Sequence, residues 1–192
     1  MSVGALWIGH QTFGEAAANE TTGAGTSLKI FTASTDLGAV TGAEGRIAVR
    51  VLRSLEAEVE ASYAKPSLTI ALGNDSENAP AATVAETLQQ LTVGAGILWY
   101  VPAAATTRLR PFASAGGGYL RQVHEGGTLL ETGRFYQVGG GVKYLLFEHP
   151  RGLFKALGVR LDVRAVLRAK GVAFDDKAHA APAFGAAAFV RF

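Results

Sequence analysis

Three glutamates alternate with small or apolar residues in the stretch Glu56-Ala57-Glu58-Val59-Glu60. Side chains of an extended strand point to opposite faces in turn, so all three carboxylates lie on one face. Closely spaced carboxylates can carry general acid and base chemistry when their surroundings separate their proton affinities. Basic residues occur at the same alternating spacing at Arg46 and Arg50 and again between Arg160 and Arg168. We therefore expect acids and bases to neutralise one another, and we predict no enzyme.

The sequence gives no strong indication of a metal-binding or phosphate-binding site. The chain contains no cysteine, which excludes thiol-ligated metal sites and cysteine nucleophiles. His179 follows Asp175 and Asp176, a pattern that also suits a solvated polar loop, and we predict no metal and no cofactor. Three glycine-rich stretches lack the Lys-Ser/Thr ending of a phosphate-binding loop and are predicted to lie inside strands. They are Gly94-Ala95-Gly96, Gly116-Gly117-Gly118 and Gly139-Gly140-Gly141.

The elements that carry these residues are predicted to be strands. The 192 residues show no shift in composition, and we predict one domain spanning 1–192. The 18 lysines and arginines are scattered, so no nucleic-acid partner is predicted. No apolar run reaches the roughly 20 residues of a spanning helix, and the N-terminus lacks the pattern of a signal peptide. Eight extended segments are predicted: 2–13, 41–52, 54–71, 85–101, 108–123, 133–147, 156–170 and 181–192.

Apolar and charged residues alternate most clearly in the seventh segment. Its odd-numbered positions from Leu157 to Leu167 are apolar, whereas the opposite face carries Arg160, Asp162 and Arg164. Bulky or aromatic residues recur eight positions apart on five strands, as in Phe184 and Phe192. Eight tilted strand residues rise about 20 Å, close to the apolar band of about 25 Å in membrane barrels. The interface aromatics predicted from this spacing are Tyr63, Trp99, Tyr119, Tyr136, Tyr144, Phe184 and Phe192.

A family resemblance rests on three internal stretches and the terminal Phe192. The stretches are 110–119 (RPFASAGGGY), 139–144 (GGGVKY) and 159–164 (VRLDVR). With these residues the chain resembles the small outer-membrane β-barrels of Gram-negative bacteria, which include OmpA-type and OmpW-type barrels. The resemblance implies an all-β fold, an eight-stranded antiparallel up-and-down transmembrane β-barrel, in the bacterial outer membrane after removal of a signal peptide. Long extracellular loops are then expected at 14–40 and 73–83, although residues 2–13 alternate less regularly than the other segments.

Such a barrel turns its apolar face to lipid and its polar face to the lumen. Eight strands leave an interior that side chains fill, so we expect the inward charges to pair across it. The predicted network comprises Glu44, Arg46, Arg50, Glu56, Glu58, Glu60, Arg110, Lys143, Arg160, Asp162, Arg164 and Arg168.

The expected partners are phospholipid, lipopolysaccharide and, through Phe192, the barrel-assembly machinery, with the chain as a monomer. We expect a structural or surface-exposed role for the extracellular loops. Three alternatives remain open at this stage. The first is a narrow channel or transporter for small or apolar solutes. The second is an outer-leaflet lipid-modifying enzyme that uses His124 and Glu125, although no serine accompanies them. The third is a soluble lipocalin-like binder, which requires the apolar face to point inward.

Overall fold

The structure is a computed structural model that describes residues 1–21, 27–73, 80–124, 129–148, 154–170 and 178–192. Within these residues no helix is both long and apolar enough to cross a membrane. A short 3-10 helix spans Pro102–Ala104. The strands are β1 (Ser2–Ile8), β2 (Gln11–Thr21), β3 (Ser27–Leu37), β4 (Val40–Leu52), β5 (Leu55–Ala64), β6 (Ser67–Gly73), β7 (Ala82–Thr87), β8 (Gln89–Tyr100), β9 (Leu109–Val123), β10 (Leu130–Glu148), β11 (Ala156–Lys170) and β12 (Ala178–Arg191).

Eight of these strands close into an antiparallel barrel in the order β1-β12-β11-β10-β9-β8-β5-β4. The first and last strands seal it, with Val3 opposite Ala188 and Trp7 opposite Phe184. On its other edge β1 pairs with β4, so no edge of the ring stays unpaired. The prediction of an all-β, eight-stranded antiparallel barrel is confirmed.

The remaining strands form a second sheet, in the order β2-β3-β6-β7. It continues four neighbouring barrel strands, because β2 follows β1, β3 precedes β4, β6 follows β5 and β7 precedes β8. The prediction of a loop over 14–40 is therefore wrong, since β2 and β3 occupy most of that segment. The predicted loop at 73–83 is shorter than expected, since β7 already begins at Ala82, and residues 74–79 lie outside the described part.

Three predicted segments are each two strands separated by a short break. Segment 2–13 divides at Gly9 and His10, segment 54–71 at Lys65 and Pro66, and segment 85–101 at Leu88. Proline has no N–H to donate to a ladder, which explains one break. The breaks also lie side by side across the wall, because Gly38 N donates to Ser67 O at 2.8 Å and Leu88 N donates to Pro66 O at 2.9 Å. The wall thus changes from barrel to second sheet along one line.

The two faces of the barrel wall differ in polarity. Outward apolar side chains that are at least half exposed include Ile47, Val49, Val59, Val93, Ile97, Leu161 and Val163. The intervening positions on β11, including Arg160, Asp162 and Arg164, are buried in the lumen. A soluble lipocalin-like barrel has the opposite arrangement, so this alternative is wrong.

Candidate functional site

The lumen contains a layer of buried charges contributed by strands from opposite walls of the barrel. Alternation along each strand turns every second residue inward, and the barrel then brings β4 and β5 to face β11. Arg46, Arg160 and Arg164 are each no more than 5 % exposed. All three contact carboxylates of the predicted network.

Arg46 contacts more carboxylates than any other described residue in this layer. Its Nη2 donates to Glu44 Oε2 at 2.8 Å, and its Nη1 donates to Asp162 Oδ1 at 3.1 Å. Glu58 Oε1 and Glu60 Oε2 lie 3.6 and 3.5 Å from the same guanidinium. One cation on β4 therefore faces four carboxylates that come from three strands.

Two arginines of β11 also contact those carboxylates. Arg160 donates through Nη1 to Glu58 Oε2 at 2.5 Å and through Nε to Asp162 Oδ1 at 2.9 Å. Arg164 donates through Nη2 to Glu44 Oε2 at 2.8 Å and lies 3.5 Å from Glu60 Oε2. Each carboxylate named here contacts at least two arginines.

A second group of charges surrounds Glu56, near the end of the lumen that lies away from the second sheet. Lys143 Nζ donates to Glu56 Oε2 at 2.7 Å, and the Tyr100 hydroxyl donates to the same oxygen at 2.8 Å. Arg50 Nη2 reaches Glu56 Oε1 at 3.4 Å. The Lys143 ammonium also lies over the rings of Tyr100 and Phe189. This carboxylate is thus bound by two cations and a phenol.

Two members of the predicted network lie outside both groups. Arg110 lies 3.6 Å from Glu148 and is partly exposed. Arg168 is 3 % exposed, and its Nη1 has no hydrogen-bond partner among the described residues. Without these two, the network contains five cations and five carboxylates: Arg46, Arg50, Lys143, Arg160 and Arg164 against Glu44, Glu56, Glu58, Glu60 and Asp162.

Gly185 makes room for the charged layer. A Cβ at this position would lie 3.0 Å from Asp162 Oδ2, 3.0 Å from Glu44 Oε1 and 3.1 Å from Arg164 Nη2. Buried charges are tolerated only when paired at close range. The glycine on β12 therefore allows the side chains of β4 and β11 to meet.

An apolar layer separates the charged layer from the end of the lumen that carries the second sheet, and the sequence analysis did not predict it. Leu6, Ile8, Phe135, Val166 and Ala183 form a buried cluster. Beyond it, the second sheet contributes another buried cluster: Phe13, Leu37, Leu68 and Leu88. One signal was present, since Val166 interrupts the charged face of Arg160, Asp162, Arg164 and Arg168.

The predicted interface aromatics are all exposed at the barrel surface: Tyr63, Trp99, Tyr119, Tyr136, Tyr144, Phe184 and Phe192. Two further aromatics accompany them. Trp7 packs on Phe184 with ring centroids 5.3 Å apart, and Phe154 packs on Phe192 at 5.4 Å. Trp7 was missed because the alternation of residues 2–13 is irregular. Its exposure places the odd-numbered positions Val3 and Trp7 of β1 on the outer face.

His124 lies between two carboxylates at the end of the barrel that carries the second sheet. Its Nδ1 is 2.9 Å from Glu86 Oε2 on β7, and its Nε2 is 3.7 Å from Glu131 Oε1 on β10. Glu125, the acid considered for a lipid enzyme, lies outside the described residues, as do Asp175 and Asp176. Within the described ranges no group of three or more His, Asp or Glu side chains is arranged so that it could hold a metal ion.

Comparisons with known proteins bear on the fold. No family model matches the sequence, and no curated protein does either. Neisserial surface protein A (NspA) aligns with a TM-score of 0.53 at 15% identity, over 100% of this chain and 96% of its own. This chain has the fold of a small outer-membrane β-barrel. Ail, the attachment invasion locus protein of Yersinia pestis, aligns over 100% of this chain and 98% of its own at 12% identity, but its TM-score of 0.35 adds no argument.

The cavities that lie between described residues along the lumen of this outer-membrane-type barrel are small. Three cavities of about 60, 10 and 30 Å³ lie along it. A site that holds one water needs about 10–15 Å³, so each cavity accommodates only a few small particles. The paired charges join opposite walls of the barrel across the lumen.

Proposed function

We propose that the chain is an outer-membrane barrel whose closed lumen anchors an extracellular β-sheet, and that this sheet carries the protein's contacts. The observation that supports the proposal most strongly is the balanced set of five cations and five carboxylates packed across the lumen. Such pairing resists passage of ions, because a permeating ion would have to displace buried ion pairs. We therefore propose neither a channel nor an enzyme.

The second sheet is the element best suited to contact a partner. Rows of residues cross it from strand to strand, as in Thr35, Ile70 and Val84. At its base this face is buried, whereas Leu72 and Val84 nearer its tip are 38 % and 59 % exposed. Apolar residues exposed on a rigid sheet suit contact with another surface.

The apolar outer wall supports the proposed membrane partners. Phospholipid would cover the band of exposed Val, Ile and Leu, and lipopolysaccharide would surround the end that carries the second sheet. We further propose that Phe192, which is 57 % exposed, meets the barrel-assembly machinery. Because the barrel has no open edge, we propose a monomer.

Single-cysteine labelling tests the orientation of the barrel in the membrane. Because the chain has no native cysteine, each introduced cysteine is its only thiol. The chain is expressed behind an export signal with Val84→Cys on the second sheet or Ala104→Cys in the turn at the opposite end. A membrane-impermeant maleimide should label the first variant on intact cells and the second only after the outer membrane is permeabilised. The reverse result, or equal labelling on intact cells, would overturn the proposal.

Planar-bilayer recording tests the closed lumen. The folded barrel should give no stepwise ion currents under conditions in which a porin, added as a control, conducts. Reproducible openings by the folded wild-type protein would instead support the narrow-channel alternative.

A further inference from the structure

Arg168 is a buried cation that has no counter-charge within 4.0 Å among the residues that the structure describes. Its side chain projects inward from β11, which pairs it with Phe135 on one side and His179 on the other. It is 3 % exposed, its Nη1 has no hydrogen-bond partner, and no carboxylate lies within 4.0 Å of it among the described residues. A guanidinium cannot shed its charge as a lysine can, so such burial is costly unless an anion is nearby.

The nearby carboxylates contact other arginines, although Glu44 Oε1 has no hydrogen-bond partner among the described residues. Glu44 and Glu60 line the same cavity as Arg168. Glu44 Oε2 accepts bonds from both Arg46 and Arg164 at 2.8 Å, and Glu60 lies within 3.5 Å of the same two arginines. The charged layer itself has three arginines against four carboxylates, and the group around Glu56 has two cations against one. The two groups together are therefore balanced, and Arg168 adds one positive charge that the described part of the lumen does not neutralise.

The cavity beside Arg168 is small and has a mixed lining. Its volume is about 30 Å³, and Ile8, Phe135 and Val166 supply apolar walls. Gln90 also lines it, and its Oε1 accepts a bond from Gln122 Nε2 at 3.3 Å, which leaves the Gln90 amide nitrogen as its donor. A space of this size holds a particle about as large as water and excludes an acyl chain or a sugar.

We propose that Arg168 and Gln90 form a binding site for one small monovalent anion of the size of chloride, inside the outer half of the lumen. The apolar walls lower the local dielectric and so strengthen the attraction between guanidinium and anion. The bound anion would complete the charge balance of the lumen. It would also link β11 to β8, the strand that carries Gln90.

Thermal unfolding of the detergent-folded barrel tests the site. Chloride is varied against gluconate, an anion too large for the cavity, at constant ionic strength, and the midpoint is read from the shift between folded and unfolded gel bands. A ligand that binds only the folded state should raise the midpoint saturably, by roughly 4 °C at ten times its dissociation constant. Arg168→Met should abolish this dependence, and in gluconate it should be at least as stable as the wild type.

The matched control is Arg134→Met, which removes an exposed arginine from the outer wall of β10. It should retain the full response to chloride. The proposal is overturned if wild type shows no saturable response, or if Arg168→Met responds as wild type does. Crystals soaked in bromide give a direct second measurement, since an anomalous peak beside the Arg168 guanidinium supports the site and an ordered guanidinium without one contradicts it.

Discussion

Arg46 and Asp162 meet across the lumen, where Arg46 Nη1 donates to Asp162 Oδ1 at 3.1 Å although 116 positions separate them in sequence. The contact joins β4 to β11, which are not neighbours in the wall. It therefore holds the barrel together independently of the backbone ladders.

Replacing Arg46 with methionine should destabilise the barrel by about 3–5 kcal/mol. The substitution leaves four buried carboxylates with one cation fewer, and the loss of one partner is the costly way to break a buried pair. Urea unfolding in detergent micelles gives the free energy of unfolding. Arg134→Met, on the outer wall, is the control and should change it by no more than about 0.5 kcal/mol.

Urea unfolding also measures the interaction energy between Arg46 and Asp162. In a double-mutant cycle with Asp162→Leu, the two residues should show a coupling energy of about 0.5–3 kcal/mol. Additive effects would show that Arg46 and Asp162 act independently, contrary to the structure.

Substitution of Gly185 by alanine should cost about 1–3 kcal/mol, because the added Cβ crowds three charged atoms that hold one another in place. Gly45 is the matched control. A Cβ there meets nothing within 4 Å, so Gly45→Ala should be neutral or stabilise the strand by up to about 1 kcal/mol. Equal effects of the two substitutions on urea unfolding would argue against a packed charge layer around Gly185.

The sequence predicts the strands of the barrel wall better than the side-chain contacts inside the lumen, for a physical reason. Alternation from Leu157 to Leu167 is visible in any extended strand, and it predicts both the strand and its two faces. Cross-lumen partners such as Arg46 and Asp162 depend on strand tilt and stagger, which no local pattern encodes. The second sheet was not predicted as a separate element: β3 lies in the predicted loop 14–40, whereas most of β6 falls in the same predicted segment as β5. The junctions between the two sheets lie at Gly9, Gly38 and Pro66, residues that usually mark turns.

His124 should hold the second sheet against the barrel. Its contact with Glu86 connects β9 to β7, which share no ladder. Replacing His124 with phenylalanine keeps a ring but removes both nitrogens, so amides of Ala82–Thr87 should exchange with deuterium about tenfold faster or more. His10→Phe is the control, because His10 is exposed and only approaches Asp36, at 3.4 Å. Unchanged exchange in β7 would show that other contacts position this strand.

If lipid surrounds the barrel, a charge introduced on the outer wall should lower the free energy of unfolding strongly in the middle of the wall. Near the end that carries the second sheet, the same charge should lower it only slightly. Leu161 and Leu130 allow a matched comparison, because they are 53 % and 51 % exposed and both point outward. Leu161 lies opposite Ala186 and Val142 in the middle of the wall, whereas Leu130 begins β10 six residues beyond Tyr136.

In lipid vesicles, Leu161→Arg should reduce the free energy of unfolding by about 2–4 kcal/mol and Leu130→Arg by only about 0–1 kcal/mol, because the cost of a charge depends on its depth in the bilayer. In water the two exposed positions would tolerate arginine equally well. Urea titration of vesicle-inserted protein measures the difference. Equal small effects at both positions would mean that no apolar phase covers Leu161, and the membrane-spanning arrangement would then be wrong.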